Sequence, residues 1–536
     1  MRTSSKFWLG LSGVLVICSA WYFYSPTPRA WAVTEVPVAF WAWRLQTPTE
    51  ADLQQAISEA RARAIFLHAG QFDGEGGTPR RVRAVAGRFP RAVELHLVYN
   101  GTRSLLTEFE RLDTAALASV IVETYAQDVA RASSDGARVA GLQLDFDVPT
   151  RLLPRYRQLL RATRELLPLV PQGRELSLTE TKLSVTGLPT WMDAPEISGV
   201  LAAVDFWVPQ FYGATIPDRL DQLTPITSPQ VVARGVARAR QLNRPFYAGL
   251  PAYGYAILYS PGGALIALRG DLDPARVASH PNFELIERRA FASPASSPTA
   301  QSPIASEWRY VYRALGDGVI DDLAVRAGDL LMADVASAEA LRVCTRMVRE
   351  RAGQALLGVC IFRLPGADDP TTLTIGEVAV ALADQSPVIT ADVRIERVGR
   401  HEGQEPAEYL LLKVTNNGAA SALMGDGALA IDLRVPAGSI NGVRSLTGFT
   451  SFETLCELPG VRDAGGQGEW RPCGPRRANL VRLKSRSWAP GAKMQVALST
   501  NGPLPQTVPI AVTVQVNDGR RWQKESTVTV AEGGEP

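Results

Sequence analysis

The sequence predicts an α/β fold, a (β/α)8 TIM barrel, followed by a C-terminal all-β sandwich domain. Three observations carry this. Between residues 37 and 366 short apolar stretches alternate with helix-patterned ones, which implies parallel pairing of the strands. Eight such units in roughly 330 residues fit a barrel with insertions; a doubly wound open sheet is the alternative. Past Ala383–Val388 the helical pattern stops, and strands alternate with turn signals instead.

The eight strands read Val38–Arg44, Ala64–Phe72, Val93–Asn100, Val139–Asp147, Leu176–Lys182, Val204–Tyr212, Phe246–Tyr253 and Leu356–Leu364. Helical stretches fall at Glu50–Arg63, Thr114–Arg131, Pro154–Leu167 and Pro229–Leu242, and a last one runs to Arg351 from Ser337, a plausible N-cap. The stretch between strands seven and eight is too long for a simple connection. Residues 257–334 therefore read as an insertion over the barrel mouth, with a Ser/Pro/Ala-rich exposed part at Ala292–Ser306 and more ordered parts at Glu307–Leu323 and Asp329–Ala333. Residues 388–536 read as an immunoglobulin-like β-sandwich. Its hairpins are marked by Asn416-Asn417-Gly418, Asn501-Gly502 and Asp518-Gly519, where the turn needs positive φ.

The 536-residue chain is too long for one core. Hydrophobic residues make up 46% and charged residues 21%, which is globular composition rather than disorder. A net charge of +2 gives no electrostatic case for nucleic acid or for an acidic partner. At the N-terminus, Arg2 and Lys6 precede an apolar run from Phe7 to Tyr24, and Ala30-Trp31-Ala32 fits a small-x-small cleavage site. Residues 1–32 are thus a signal peptide, leaving residues 33–383 for the barrel, or an anchor that holds the chain to the membrane through residues 7–24. Cys18 raises a lipoprotein reading, against which Ile17 stands where a small residue is expected. Each reading exports the bulk of the chain, to the periplasm or the outer face of the inner membrane. Cys456 and Cys473 flank a Gly-rich loop and suit a disulfide; Cys344 and Cys360 read as buried thiols. No cysteine has metal spacing and the chain has four His, so no metal site and no cofactor is expected. Walker loops, dinucleotide fingerprints and nucleophile elbows do not occur in the sequence.

In a barrel, chemistry sits at the C-terminal ends of the strands. Strand four ends Gly141-Leu142-Gln143-Leu144-Asp145-Phe146-Asp147. Alternation sends Leu142, Leu144 and Phe146 to the helices and Gln143, Asp145 and Asp147 inward. Close carboxylates raise one pKa, preparing one group as an acid beside an ionised partner. The structural alternative is a helix cap, or an ion pair with Arg44 or Arg363. Strand six ends Val208-Pro209-Gln210-Phe211-Tyr212-Gly213, with Gln210 and Tyr212 on one face. Aromatic residues gather at other strand ends: Trp41, Trp43, Tyr99, Tyr253 and Tyr255, with Trp191 after strand five. Such rings stack on the C–H faces of sugars, or pack the core and rim. His68 near the end of strand two is a ligand hydrogen-bonder or a satisfied structural histidine. Glu180 is the candidate for a second acid from another strand, though its alternation with Leu176 and Leu178 turns it outward.

Gly-Leu-Gln-Leu-Asp-Phe-Asp resembles the fourth-strand signature of chitinase-like (family 18) glycoside hydrolases, Asp-Gly-x-Asp-x-Asp-x-Glu. In register, Gln143 takes the place of the first Asp of the triad, Asp145 the second and Asp147 the terminal Glu; Ala140 stands at the leading Asp. The resemblance implies that Asp147 protonates a glycosidic oxygen and that Asp145 orients and stabilises the substrate. Tyr212 matches a substrate-bonding Tyr of that family, with Gly213 in place of the Asp that follows it. More of the chain, much of residues 35–380, resembles a bacterial family of exported barrel proteins without assigned function, through Val-Pro-Val-Ala-Phe-Trp-Ala-Trp, Leu-Gln-Leu-Asp-Phe-Asp and Val-Pro-Gln-Phe-Tyr-Gly. The expected function is therefore a glycoside hydrolase or transglycosylase whose partner is a glycan or polysaccharide. The alternatives are a non-catalytic glycan-binding barrel and an envelope scaffold.

Overall fold

A computed structural model describes residues 36–169, 181–213, 216–222, 225–292, 305–366, 369–399, 409–462, 468–501 and 505–532. The expected N-terminal export segment, Glu180, residues 176–180 of the expected fifth strand, Gly502 and most of Ala292–Ser306 lie outside them. Among the described residues no helix is long and apolar enough to cross a membrane.

Eight parallel strands close a barrel. In chain order they are Val38–Ala42, Ala62–Asp73, Glu94–Gly101, Arg138–Asp145, Lys182–Gly187, Phe206–Pro209, Phe246–Pro251 and Leu356–Phe362. Each pairs with its sequence neighbour among the eight, and strand one pairs with both strand two and strand eight. The open-sheet alternative is thereby excluded.

The period-2 pattern sorts the side chains into two layers. Leu67, Leu95, Leu97, Leu142, Leu144, Phe146, Leu183, Val185 and Trp207 pack outward under the helices. Ala39, Trp41, Ala64, Phe66, Val98, Phe206, Val208, Tyr212 and Cys360 fill the interior. The surrounding helices start where their caps direct. Asp113 accepts from Ala115 N and Ala116 N at Thr114–Ser134, Ser228 from Val231 N at Pro229–Leu242, and Ser337 from Ala340 N at Ala338–Arg351.

The fifth strand differs from expectation: it is Lys182–Gly187, not Leu176–Lys182. Pairing decides it. Gly141, Leu142, Gln143 and Leu144 lie opposite Lys182, Leu183, Ser184 and Val185. The register also needs Gly141, since a Cβ there would sit 2.5 Å from the Lys182 carbonyl and 2.7 Å from His96 Nδ1. One strand of the barrel sheet was not anticipated. Arg80–Ala84 runs antiparallel to the mouth end of strand two.

The insertion after strand seven is a lobe with its own core. Its antiparallel sheet has the order Leu265–Arg269, Tyr255–Tyr259, Leu330–Val335, Ala305–Ala314, Phe283–Ala292. The lobe leans on the loop after strand six, where Tyr259 Oη donates to the Pro217 carbonyl (2.9 Å) and Arg309 Nη1 to that of Gln222 (2.7 Å). It also grips the C-terminal domain. Met424 N donates to Tyr310 Oη (3.3 Å), and Leu423 and Met424 enter the lobe's core.

The C-terminal domain is built of two antiparallel sheets around one core drawn from both. They are joined by the last strand, Arg521–Glu532, which pairs antiparallel with Thr507–Gln515 and then parallel with Ile395–Arg397. Cys456 and Cys473 are bridged, with Cα atoms 5.8 Å apart, and the 17-residue separation makes the link worth about 3 kcal/mol. Cys344 and Cys360 are buried and take part in no disulfide.

Candidate active site

Strand four delivers its inward residues as alternation requires, and the backbone beneath them is pinned from the helix side. Tyr156 Oη donates to the Leu144 carbonyl (3.3 Å) and Trp191 Nε1 to that of Val148 (3.0 Å). These two buried rings bracket the segment that carries Asp145 and Asp147.

Asp145 is 8% exposed and accepts a hydrogen bond from Thr186 Oγ1 of strand five. Burial, and after it the neighbouring Asp147 charge, push its pKa up to about 7, while the Thr186 hydroxyl works the other way. Asp147 is exposed at the rim, and its pKa is also raised, by the loss of water on the side packed against the protein. Neither acid has a structural task of the ordinary kind. Arg363 and Arg44 pair with Asp369 instead. The helical turns that follow, Thr150–Leu152 and Leu153–Leu166, have no side-chain cap. Among the described residues Asp147 has no hydrogen bond or ion pair.

The remaining candidates separate into accessible and buried groups. Gln143 is fully buried, accepting from Trp41 Nε1 (2.9 Å) and reaching Ser184 Oγ (3.4 Å). Trp41 is 1% exposed. Both are buried in the floor of the barrel mouth and bonded to each other rather than presented to solvent. His68 takes the structural one of its two readings. Its Nδ1 meets the Trp43 carbonyl at 3.0 Å and its Nε2 meets Asn100 Oδ1 at 3.1 Å, so both ring nitrogens are engaged inside the protein. Tyr99 donates to Asp128 (2.8 Å) on the helix side, and Trp191 packs there on Tyr156, so neither ring reaches the mouth.

Trp43 and Tyr253 are half-buried at the rim, and Gln210 is half-buried on the face that Tyr212 shares. Tyr212 Oη is buried without a partner among the described residues, and its pKa is raised well above the usual phenol range, first by burial, with Asp145 and Asp147 among the contributing charges.

Sequence reasoning missed Phe362. Its ring lies 5.9 Å from Trp41, 5.7 Å from Trp43, 5.8 Å from Tyr212 and 5.3 Å from Tyr253, so it joins the rim aromatics into one surface. Its place at the end of strand eight was the available signal. Thr186 and Ser184 were missed because the fifth strand was set six residues early. His96 lies deeper, stacked on Phe66 at 4.6 Å, and burial lowers its pKa to about 4.

A cleft of about 860 Å3 lies elsewhere, at the junction of barrel, lobe and sandwich. Its carboxylates have structural work. Asp334 binds Arg309 and Asp369 binds Arg363, while Asp273 and Glu377 hold helix N-termini. The chemistry of the acid pair outweighs the size of the cleft.

A family model described as a domain of unknown function (DUF3142) matches residues 105–272, the stretch containing strands four to seven. No curated protein matches the chain. Solved structures similar to it include the chitinase of Chromobacterium violaceum ATCC 12472, 14% identical over 65% of this chain and 99% of that chain, with a TM-score of 0.41. The spore cortex-lytic enzyme SleL of Bacillus cereus is 14% identical over 66% of this chain and 74% of that one (TM-score 0.39). A glycoside hydrolase family 18 N-acetylglucosaminidase from Paenibacillus barengoltzii is 13% identical over 65% and 100% (TM-score 0.39). The barrel assignment rests on the strand pairing described above.

Proposed function

We propose that this chain is a carbohydrate-active barrel protein, a glycoside hydrolase or transglycosylase, acting outside the cytoplasm. One observation carries the reading. Two carboxylates stand together at the mouth of strand four with no cation partner among the described residues, and both have raised pKa values, Asp145 to about 7, so that the pair holds a proton near neutrality which Asp147 can deliver. Asp147, accessible and unpartnered, is the general acid that protonates the glycosidic oxygen. Asp145, fixed by Thr186, orients the substrate and stabilises the charge that develops. Tyr212 Oη is a donor for a substrate oxygen. Trp43, Tyr253 and Phe362 offer ring faces to the sugar.

Asp147→Asn and Asp145→Asn are each expected to lower glycan cleavage by about 10²–10⁴-fold with the fold retained, read as release of new reducing ends and as an unchanged circular dichroism spectrum. Unchanged turnover in either variant removes the assignment. A non-catalytic glycan-binding barrel is the second reading. It is favoured by Gln143, locked between Trp41 and Ser184 where the resembling motif has an acid. Under it, glycans bind without product release and Asp147→Asn changes nothing.

A further inference from the structure

The rim between strands one and two carries a feature that the acid pair does not use. The Trp43 ring lies on the His68 ring, with centroids 4.5 Å apart and planes 14° from parallel. His68 is tied to the Trp43 carbonyl just past strand one and to Asn100 on strand three, and Asn100 lies opposite Asp145 in the register of strands three and four. Neighbouring positions on strands four, three and two therefore link the acids to the indole along the rim. From strand four to strand two is two strand spacings, about 10 Å, within the span of a disaccharide.

Beside His68, the short strand Arg80–Ala84 lengthens strand two. Gln71 is opposite Arg83 and Phe72 opposite Arg81, with an irregularity between the two pairs. Residues paired across strands share a face. Phe72 and Arg81 take the helix side, where Phe72 packs on Tyr99 and Arg81 Nη2 binds Asp128 at 2.7 Å. Gln71 and Arg83 are left on the mouth side. Neighbouring arginines are occupied: Arg80 by Asp73, Arg81 by Asp128 and Arg88 by Asp135. Arg83 is exposed and, among the described residues, has no carboxylate partner. Its charge is felt at His68, whose pKa is lowered chiefly by burial and further by Arg83.

We propose that this rim is a subsite for a carboxylate-bearing sugar next to the one at the acid pair, with the sugar's C–H face on Trp43 and its carboxylate on the Arg83 guanidinium. The inference rests on the carbohydrate reading above and names the class of glycan. A guanidinium presents two parallel N–H donors that match a carboxylate, a fit a neutral sugar cannot use. The carboxylate has two chemical sources, a uronic acid or an amino sugar carrying a lactyl ether.

The test uses the full chain, with calorimetric binding of oligosaccharides of each source beside their carboxyl-reduced forms. The acid forms of at least one source are expected to bind about tenfold tighter than the reduced forms. Arg83→Gln should bring the two to parity without changing affinity for the reduced sugars. Trp43→Ala should weaken both. Equal binding of acid and reduced sugars, or a preference that survives Arg83→Gln, overturns this inference and leaves the carbohydrate reading standing. Binding of neither form by any oligosaccharide overturns both.

Discussion

Two carboxylate centres stand at the same end of the barrel and have opposite surroundings. At the end of strand eight, Asp369 is clamped by Arg363 through two hydrogen bonds (2.7 and 2.8 Å), approached by Arg44 at 3.5 Å and bonded by the Thr371 hydroxyl. At the end of strand four, Asp145 and Asp147 face each other's charge with one threonine hydroxyl between them as support. The first centre is a joint that fixes the turn after the last strand. The second sets two carboxyl groups side by side with no counter-ion among the described residues, a cost that folding alone does not explain. An acid matched to a cation is structural; a neighbouring pair left unmatched points to a ligand.

Three measurements would break or sharpen that contrast. The largest effect is expected at the clamp. Arg363→Ala strips the buried Asp369 of its two-bonded partner, leaving it Arg44 at 3.5 Å and the Thr371 hydroxyl, and should cost about 3–5 kcal/mol, while Asp147→Asn should stay within about 0.5 kcal/mol of the parent. Urea midpoints compare them, and an equal loss in both variants would make Asp147 a structural acid too.

The next effect is in pH. Asp145 has a folded pKa near 7, raised above its unfolded value, so between about pH 4 and 7 the native state holds a proton that the unfolded chain has released. Stability from this group is therefore full below pH 4 and falls as pH rises to 7. Asp145→Asn removes the dependence, so the variant should gain on the parent across that window by at most about 4 kcal/mol. A constant difference from pH 4 to 7 would place the Asp145 pKa in the ordinary range.

The smallest effect is expected at Thr186→Val. The hydroxyl favours the ionised carboxylate, so its loss should raise the Asp145 pKa further and change stability by about 1 kcal/mol. A carbon-detected carboxyl titration reads the pKa; a fall would mean that the hydroxyl holds the protonated form.

Much of the barrel was legible because its rules are local. Alternation in strand four assigned Leu142, Leu144, Phe146, Gln143 and Asp145 to the correct layers. Ser337 marked a helix start through a side chain that reaches three residues ahead. Strand five was misplaced because two alternating runs adjoin in opposite phase, Leu176 and Leu178 on even positions and Leu183 and Val185 on odd ones. Periodicity cannot choose between them, whereas hydrogen bonding to strand four does. The strand Arg80–Ala84, with three arginines in five residues, gave no apolar signal at all.

The sequence by itself determined the order of strands and helices, the switch to a sandwich, the Cys456–Cys473 link and the inward face of strand four. Each follows from spacing along the chain. Tertiary structure alone decided which charged groups find partners. Arg363 meets Asp369 six positions away, Arg81 meets Asp128 forty-seven positions away, and Asp147 meets none among the described residues. Ionic pairing acts through space over a few ångströms and is blind to sequence distance. That is why the acids of strand four could be seen in the sequence, while their lack of a counter-ion became visible only when the barrel closed.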